Sequence, residues 1–168
     1  SGAYMHLSAP VLERTVLHSS NAYAIPNIKI RASACRTNLP PNTAYRGFGG
    51  PQGMFPLEVA IEKAAFRMGV APDWIQSRNL IQDGYVMHYG QEIEACNMRR
   101  TWDEALETFD VEGIRGRIEQ FNRENKRVKK GFAMMPVCFG ISFTKTFLNQ
   151  GSSLVHVYTD GSVSVTTG

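Results

Sequence analysis

The spacing of apolar residues divides the chain into a mainly helical first part and a strand-rich last part. Between Pro10 and Leu17 the apolar residues have loosely helical spacing, whereas apolar and polar residues alternate from Ile28 to Ala34. A period near 3.6 residues indicates an amphipathic helix, and strict alternation indicates a strand. The sequence therefore predicts a short helix, then a strand, then a long loop.

A second helix after this loop is predicted by one apolar face. Pro56 occupies a first-turn position and Gly69 a stop position. The residues of this face are Leu57, Ala60, Ile61, Ala64, Ala65 and Met68. Pro72 then begins a third predicted helix, with Trp74 and Ile75 facing inward.

Two further helices and a group of strands complete the prediction. A capping box from Thr101 to Glu104 predicts a helix through Phe109. The apolar residues Ile114, Ile118 and Phe121 extend a helical pattern towards Val128. Strands follow at residues 132–143, 154–159 and 162–167, the last two joined by a type I′ turn at Asp160 and Gly161. This order predicts an α+β fold with no internal domain boundary.

The composition fits a folded domain and excludes some classes of partner. The chain has 168 residues, of which 43% are hydrophobic and 20% charged, and its net charge is +3. The basic run at 126–130 is interpreted as a solvated helix end, so we expect no nucleic-acid partner. No apolar run approaches the length of a membrane span, and we expect no membrane partner. The cysteines are Cys35, Cys96 and Cys138, whose spacing fits no metal site and indicates reduced thiols in a cytoplasmic protein.

One loop carries the strongest functional signal. The segment RTNLPPNTAYRGFGGPQG runs from Arg36 to Gly53, and its glycines allow close approach of the backbone to another group. It is not a dinucleotide fingerprint, because Gln52 stands at the third glycine position, and it lacks the lysine of a P-loop. Phe48 lies at its tip, and Phe143 lies in a second glycine-bearing turn. Two such aromatic residues are consistent with a slot for a flat ring.

Three long segments extend this signal to a family. They are VLERTVLHSSNAYAIPNIKI, RTNLPPNTAYRGFGGPQGM and FGISFTKTFLNQGSSLVHVYTDGSVSVTTG. Together they closely resemble the molybdenum-binding subunit of the molybdenum hydroxylases, the family of xanthine dehydrogenases and aldehyde oxidases. The resemblance implies that residues 1–168 are part of a molybdopterin-binding domain within a larger subunit. It also implies a molybdenum–molybdopterin cofactor, with 2Fe–2S clusters and FAD in partner domains or subunits of an oligomeric enzyme.

The resemblance assigns roles to individual residues. It implies that Phe48 and Phe143 hold a purine, one face-on and one edge-on, and that Thr144 forms a hydrogen bond with it. Arg14 matches the catalytic arginine that holds a purine oxygen in xanthine dehydrogenases, whereas relatives that oxidise aldehydes usually lack it. The cofactor contacts implied are Ala44, Tyr45 and Arg46, mainly through backbone groups. The implied reaction is the hydroxylation of hypoxanthine and xanthine to urate.

Part of the family's apparatus does not occur in this sequence. The family's glutamate base belongs to a motif that these 168 residues do not contain, and Glu13, Glu58 and Glu62 do not match it. Glu58 and Glu62 are four residues apart, which predicts solvated carboxylates on an exposed helix face. We therefore expect the isolated chain neither to bind the cofactor tightly nor to oxidise purines.

Two alternatives to a purine hydroxylase stay open at this point. The first is a related molybdenum hydroxylase that acts on an aldehyde or another N-heterocycle, with Arg14 in a structural role. The second is a non-catalytic fragment that uses the basic run at 126–130 to bind nucleic acid. The electron acceptor, NAD or oxygen, is also open.

Overall fold

The computed structural model describes residues 1–144 and 146–168. The helices are α1 (Ser8–Leu17), α2 (Gly50–Met68), α3 (Pro72–Arg78), α4 (Met98–Thr108) and α5 (Val111–Glu124), and a single 3₁₀ turn spans Thr146–Leu148. The strands β1 (Ser153–Val157) and β2 (Val163–Thr167) form one antiparallel hairpin. Helix α1 packs on α2, and α2 packs on α3. The predicted α+β class is confirmed.

Helix α2 starts earlier than the sequence indicated. It begins at Gly50 with Pro51 in its first turn, so Pro56 lies inside the helix and its predicted first-turn position is wrong. A proline there removes one backbone hydrogen bond, and the helix tolerates this because Pro56 is on the exposed face. The predicted end is confirmed, since Gly69 caps the helix with a left-handed φ of 68°.

The core lies between α2, α3 and α4. Its centre consists of Tyr23, Ile61, Leu80 and Trp102. Ile75 of α3 packs against this cluster as predicted. The inward placement predicted for Trp74 is wrong: this residue is 42% exposed. The guanidinium of Arg78 lies 3.7 Å from its ring centroid and covers part of the indole.

Helices α4 and α5 differ from the prediction at both ends. Helix α5 ends at Glu124, so the helical pattern predicted towards Val128 stops short, and the basic run at 126–130 is exposed but lies beyond the helix. Helix α4 begins at Met98 and ends at Thr108, one residue before the predicted end. The predicted capping box is wrong, because the Thr101 hydroxyl donates to the Asn97 carbonyl at 2.9 Å instead of accepting from the backbone. Helix α5 follows Asp110, whose carboxylate accepts the Gly113 N–H at 3.1 Å as an N-cap.

Two predicted strands are absent from the described residues. Residues 28–34 have no regular secondary structure, and the nearest pairing in the described chain is an isolated bridge between Gly2 and Arg36. Residues 132–143 also have no regular secondary structure, and the backbone bends at Ser142, where φ is 73°. A strand needs a ladder partner, and within residues 1–144 and 146–168 neither segment has one.

Side chains take the place of that partner along residues 134–142, which we call the strap. Asn21 Nδ2 donates to the Pro136 carbonyl at 2.8 Å, and Asn21 Oδ1 accepts the Cys138 N–H at 3.2 Å. Gln76 Nε2 donates to the Met134 carbonyl at 2.9 Å. These contacts fall on even-numbered residues, which point to one edge of an extended chain. The strap is therefore held along one edge.

The hairpin confirms two predicted strands but corrects the turn. Val157 pairs with Val163, and the Tyr158 N–H donates to the Ser162 carbonyl at 2.9 Å. The loop therefore contains three residues, 159–161. Gly161 has a φ of 84°, whereas Asp160 is not among the positive-φ residues of the described chain. A type I′ turn needs positive φ at both central residues, so the predicted turn type is wrong.

Candidate functional site

The glycine-rich loop is drawn tightly against helix α1. Gly47 and Gly49 have φ values of 85° and 102°, and Phe48 between them has a φ of 49°. The Thr15 hydroxyl donates to the Gly49 carbonyl at 2.9 Å. A Cβ at Gly49 would overlap the backbone of Val11. Glycine is required here both for the backbone angle and for the close approach, and together they fix Phe48 beside α1.

The start of this loop presents unused backbone donors. Among the described residues, the N–H groups of Tyr45, Arg46 and Gly47 donate to no acceptor. The Tyr45 side chain is 82% exposed, Arg46 is exposed and Ala44 is half-buried. A run of free amides in a glycine-rich turn suits a ligand with several acceptor atoms or negative charge.

Arg14 is a buried cation held by the strap. It is 5% exposed, and its Nη1 donates to the Gly140 carbonyl at 2.7 Å, while its Nη2 donates to the Ser142 carbonyl. No carboxylate pairs with it among residues 1–144 and 146–168. Its buried Nε–H has no acceptor in that part of the chain. An arginine has five N–H donors, so three are left for other groups.

The two predicted aromatic residues meet beside this guanidinium. The ring centroids of Phe48 and Phe143 are 5.3 Å apart at an interplanar angle of 87°, so the rings contact each other edge to face. The Arg14 guanidinium lies 5.9 Å from the Phe48 centroid. All three line one open cavity of about 390 Å³, together with Ile141, Ser142, Leu148, Asn149 and Gln150. A cavity of this volume is in the range of small-molecule sites.

Thr144 lies on a different wall. It lines a neighbouring cavity of about 260 Å³, which also includes Arg14, Ile141 and Ser142. Its hydroxyl donates to Glu13 Oε2 at 2.8 Å. The structure thus brings Arg14, Phe48 and Phe143 together in one cavity and places Thr144 in the neighbouring cavity.

His18 is a contributor that sequence reasoning missed. Its Nε2 accepts the Gly140 N–H at 3.1 Å, so the neutral ring carries its proton on Nδ1, which donates to the Arg14 carbonyl at 2.9 Å. Burial lowers the pKa of His18, and the positive charges of Arg14 and His88 act in the same direction. The available signal was the spacing of four residues between Arg14 in α1 and His18 at the C-terminal cap of that helix.

The predicted solvent exposure of Glu58 is wrong, while that of Glu62 is confirmed. Glu58 is half-buried and accepts hydrogen bonds from Asn21, Tyr23 and Gln76, at distances of 2.8–3.1 Å. Glu62 is exposed one turn further along α2. The four-residue spacing alone could not predict that Glu58 is half-buried and Glu62 exposed, because the three donors that contact Glu58 come from two other segments of the chain.

No helix in the described part of the chain is long and apolar enough to cross a membrane. Residues 1–144 and 146–168 also contain no cluster of three or more His, Cys, Asp or Glu side chains able to hold a metal ion.

Comparison with known proteins extends over nearly the whole chain. A family model described as a molybdopterin cofactor-binding domain matches residues 1–80, and a second with the same description matches residues 104–168. The chain is 46% identical over 162 residues to the xanthine dehydrogenase/oxidase of Mus musculus, covering 96% of this chain. It is 45% identical over 169 residues to the xanthine dehydrogenase of Oryza sativa subsp. japonica, covering 100% of this chain. It spans 12% of the length of each relative.

A solved structure shows the same fold. The aldehyde oxidoreductase from Desulfovibrio desulfuricans superposes with a TM-score of 0.64 and 24% identity, over 71% of this chain and 13% of that one. The two family-model matches and the identities to relatives from animals and plants agree with each other. The chain therefore belongs to the xanthine dehydrogenase family of molybdopterin cofactor-binding proteins.

Proposed function

We propose that this chain forms the purine-binding wall, and one side of the cofactor site, of a xanthine dehydrogenase. In this proposal, residues 1–168 are part of a molybdopterin-binding domain in a larger cytoplasmic enzyme. Iron–sulfur and FAD domains or subunits of an oligomer carry the electrons onward. The observation that carries the proposal is the buried Arg14 guanidinium, which pairs with no carboxylate in the described chain, beside the perpendicular rings of Phe48 and Phe143.

The loop before Phe48 fits the cofactor. Ala44, Tyr45 and Arg46 are the residues we assign to it, and the free amides of Tyr45, Arg46 and Gly47 match a ligand rich in acceptor atoms. Glycine at position 47 lets a ligand approach the backbone there. When bound, molybdenum–molybdopterin supplies the two-electron redox chemistry of the hydroxylation, and the protein orients the substrate and stabilises charge.

The residues of the aromatic cavity fit a flat, polar heterocycle. Phe48 and Phe143 offer a flat ring a phenyl face and a phenyl edge in perpendicular planes, and because the two rings contact each other here, a purine that lies between them must first separate them. Arg14 has three N–H donors left after its two hydrogen bonds to the strap. It forms no ion pair with a carboxylate in the described chain. In a site with little water, such a fixed cation stabilises negative charge that develops on a purine ring. Thr144 binds a purine edge that reaches past Arg14 into the neighbouring cavity.

The test compares Arg14→Met with Arg67→Met in the cofactor-loaded, full-length enzyme. Arg67 is exposed in the last turn of α2 and serves as the matched control. We expect kcat/KM for xanthine and hypoxanthine to fall about 10²- to 10³-fold in Arg14→Met, because one preorganised charge at a reacting group contributes that much. Turnover of a simple aldehyde and the molybdenum content should stay unchanged. Equal purine activity in both variants would refute the purine assignment and favour the aldehyde alternative.

A further inference from the structure

The carboxylate of Glu58 accepts hydrogen bonds from three side chains, two of which also contact the strap. Glu58 Oε1 accepts from Asn21 Nδ2 at 3.1 Å and from the Tyr23 hydroxyl at 2.8 Å, while Oε2 accepts from Gln76 Nε2 at 3.0 Å. Asn21 and Gln76 are buried, as is Tyr23. Burial, followed by the bond to Glu58, raises the pKa of Tyr23 well above its ordinary value, so its hydroxyl stays a donor.

Two of these donors also hold the strap. The NH₂ group of Asn21 donates to Glu58 and to the Pro136 carbonyl, and the NH₂ group of Gln76 donates to Glu58 and to the Met134 carbonyl. An amide side chain can turn over and exchange its oxygen for its nitrogen. A carboxylate has only acceptors, so Glu58 fixes both amides with their NH₂ groups inward. In this orientation Asn21 Oδ1 is free to accept the Cys138 N–H.

The strap leads directly from this cluster to the aromatic cavity. Gly140 and Ser142, two and four residues after Cys138, supply the carbonyls that hold Arg14. Phe143 follows at once and contacts Phe48. Cys138, which Asn21 holds, is only two residues from Gly140, so a shift of the strap at Cys138 displaces the Gly140 carbonyl that binds Arg14.

We propose that Glu58 is a positioning residue for the purine cavity: by orienting Asn21 and Gln76 it fixes the strap, and through the strap it places Arg14 and Phe143. The role assigned to the cavity rests on the proposed function. The hold of Glu58 on the strap does not, since it follows from hydrogen bonds within this chain alone.

The test compares Glu58→Gln with Glu62→Gln in the full-length, cofactor-loaded enzyme. Glutamine preserves the volume at position 58 but turns one acceptor into an NH₂ group, which must then face the NH₂ of Asn21 or Gln76. Glu62 is exposed on the same helix and is the matched control. The first readout is hydrogen–deuterium exchange of peptides that cover residues 134–143. The second is the separation of KM from kcat for xanthine.

We expect exchange across the strap to rise about tenfold in Glu58→Gln, because losing the orienting bonds weakens the protection of the Cys138 and Gly140 amides. We also expect KM to rise about tenfold while kcat changes less than about threefold, since the reacting groups are intact and only their placement is disturbed. The control should match the wild type in both. A general loss of stability would instead lower the yield of active enzyme without this split between KM and kcat.

Unchanged strap exchange in Glu58→Gln would overturn the proposal, and so would raised exchange with unaltered purine kinetics. If that variant does not fold, Gln76→Met replaces it, because it removes the donor to Met134 while keeping an unbranched side chain of similar length. A wild-type enzyme that neither binds nor oxidises xanthine would refute the proposed function. The exchange contrast would then decide by itself whether Glu58 holds the strap.

Discussion

Replacing Gly53 by alanine tests the close packing that places Arg14 beside the glycine-rich loop. Gly53 is buried in the first turns of α2, directly against α1. A Cβ built at Gly53 overlaps the Thr15 carbonyl oxygen and lies 3.0 Å from its carbonyl carbon. Because the obstacle is the backbone of a packed helix, it cannot move aside as a flexible side chain can.

Two opposing effects set the size of the change. Alanine stabilises a helix interior by about 1 kcal/mol relative to glycine. Inserting a methyl group into a closely packed contact costs about 1–3 kcal/mol, and a backbone obstacle favours the upper end. We therefore expect Gly53→Ala to lower the free energy of unfolding by about 2 kcal/mol. For a chain of this size, that corresponds to a decrease in Tm of about 4–8 °C.

Gly116→Ala is the matched control, with the opposite expected sign. Gly116 is exposed in α5, and no atom lies within 4 Å of a Cβ built there. Only the helix propensity acts, so Tm should rise by about 2–4 °C. Thermal unfolding followed by far-ultraviolet circular dichroism measures both variants. A Gly53→Ala protein as stable as the wild type would refute the claim that glycine sets the α1–α2 distance.

Two further variants probe the cap of α5 and the charge state of His18. Asp110→Ala removes the acceptor of the Gly113 N–H and should lower the free energy of unfolding by about 1 kcal/mol in urea titrations, while Asp110→Asn should retain most of it. The lowered pKa of His18 means that the unfolded chain binds its proton more readily, so stability is present above about pH 6.5 and is lost as the pH falls below that value. His18→Gln should therefore lose less stability than the wild type between about pH 8 and pH 5 in denaturant titrations. An equal loss in both proteins would show that His18 is not the group responsible for this pH dependence.

The helices show what local pattern can predict. Gly69 ends α2 through its own backbone conformation, and Asp110 caps α5 through its own side chain. The sequence predicted the first of these two helix ends. The predicted start of α2 was wrong because Pro56 suits a first turn as well as Pro51, which actually lies there. The choice depends on the contact of Gly50 and Gly53 with Phe139 and Thr15, which are distant in sequence. Propensity cannot report such contacts.

The strap shows what local pattern cannot predict. Its apolar alternation is typical of a strand, and its hydrogen bonds at alternate residues agree with that. Its hydrogen-bond partners, however, are side chains of Asn21 and Gln76, 58 or more residues away. No periodicity in residues 132–143 distinguishes such partners from a neighbouring strand. For the same reason the sequence favoured solvent around Glu58, whose three donors come from elsewhere.

Arg14 links the stability of this chain to its ligand. A buried cation without an acidic partner is unfavourable by several kcal/mol. Two hydrogen bonds to the strap and two aromatic rings, Phe48 at 5.9 Å and Phe139 at 5.2 Å, offset part of this. A ligand that brings negative charge or acceptor atoms offsets the rest of this desolvation cost, and its binding is strengthened accordingly. Arg14→Met should therefore reduce purine binding far more than it reduces stability, because the substitution removes a desolvation penalty together with the hydrogen bonds. Equal losses in both would mean that Arg14 serves chiefly to hold the strap.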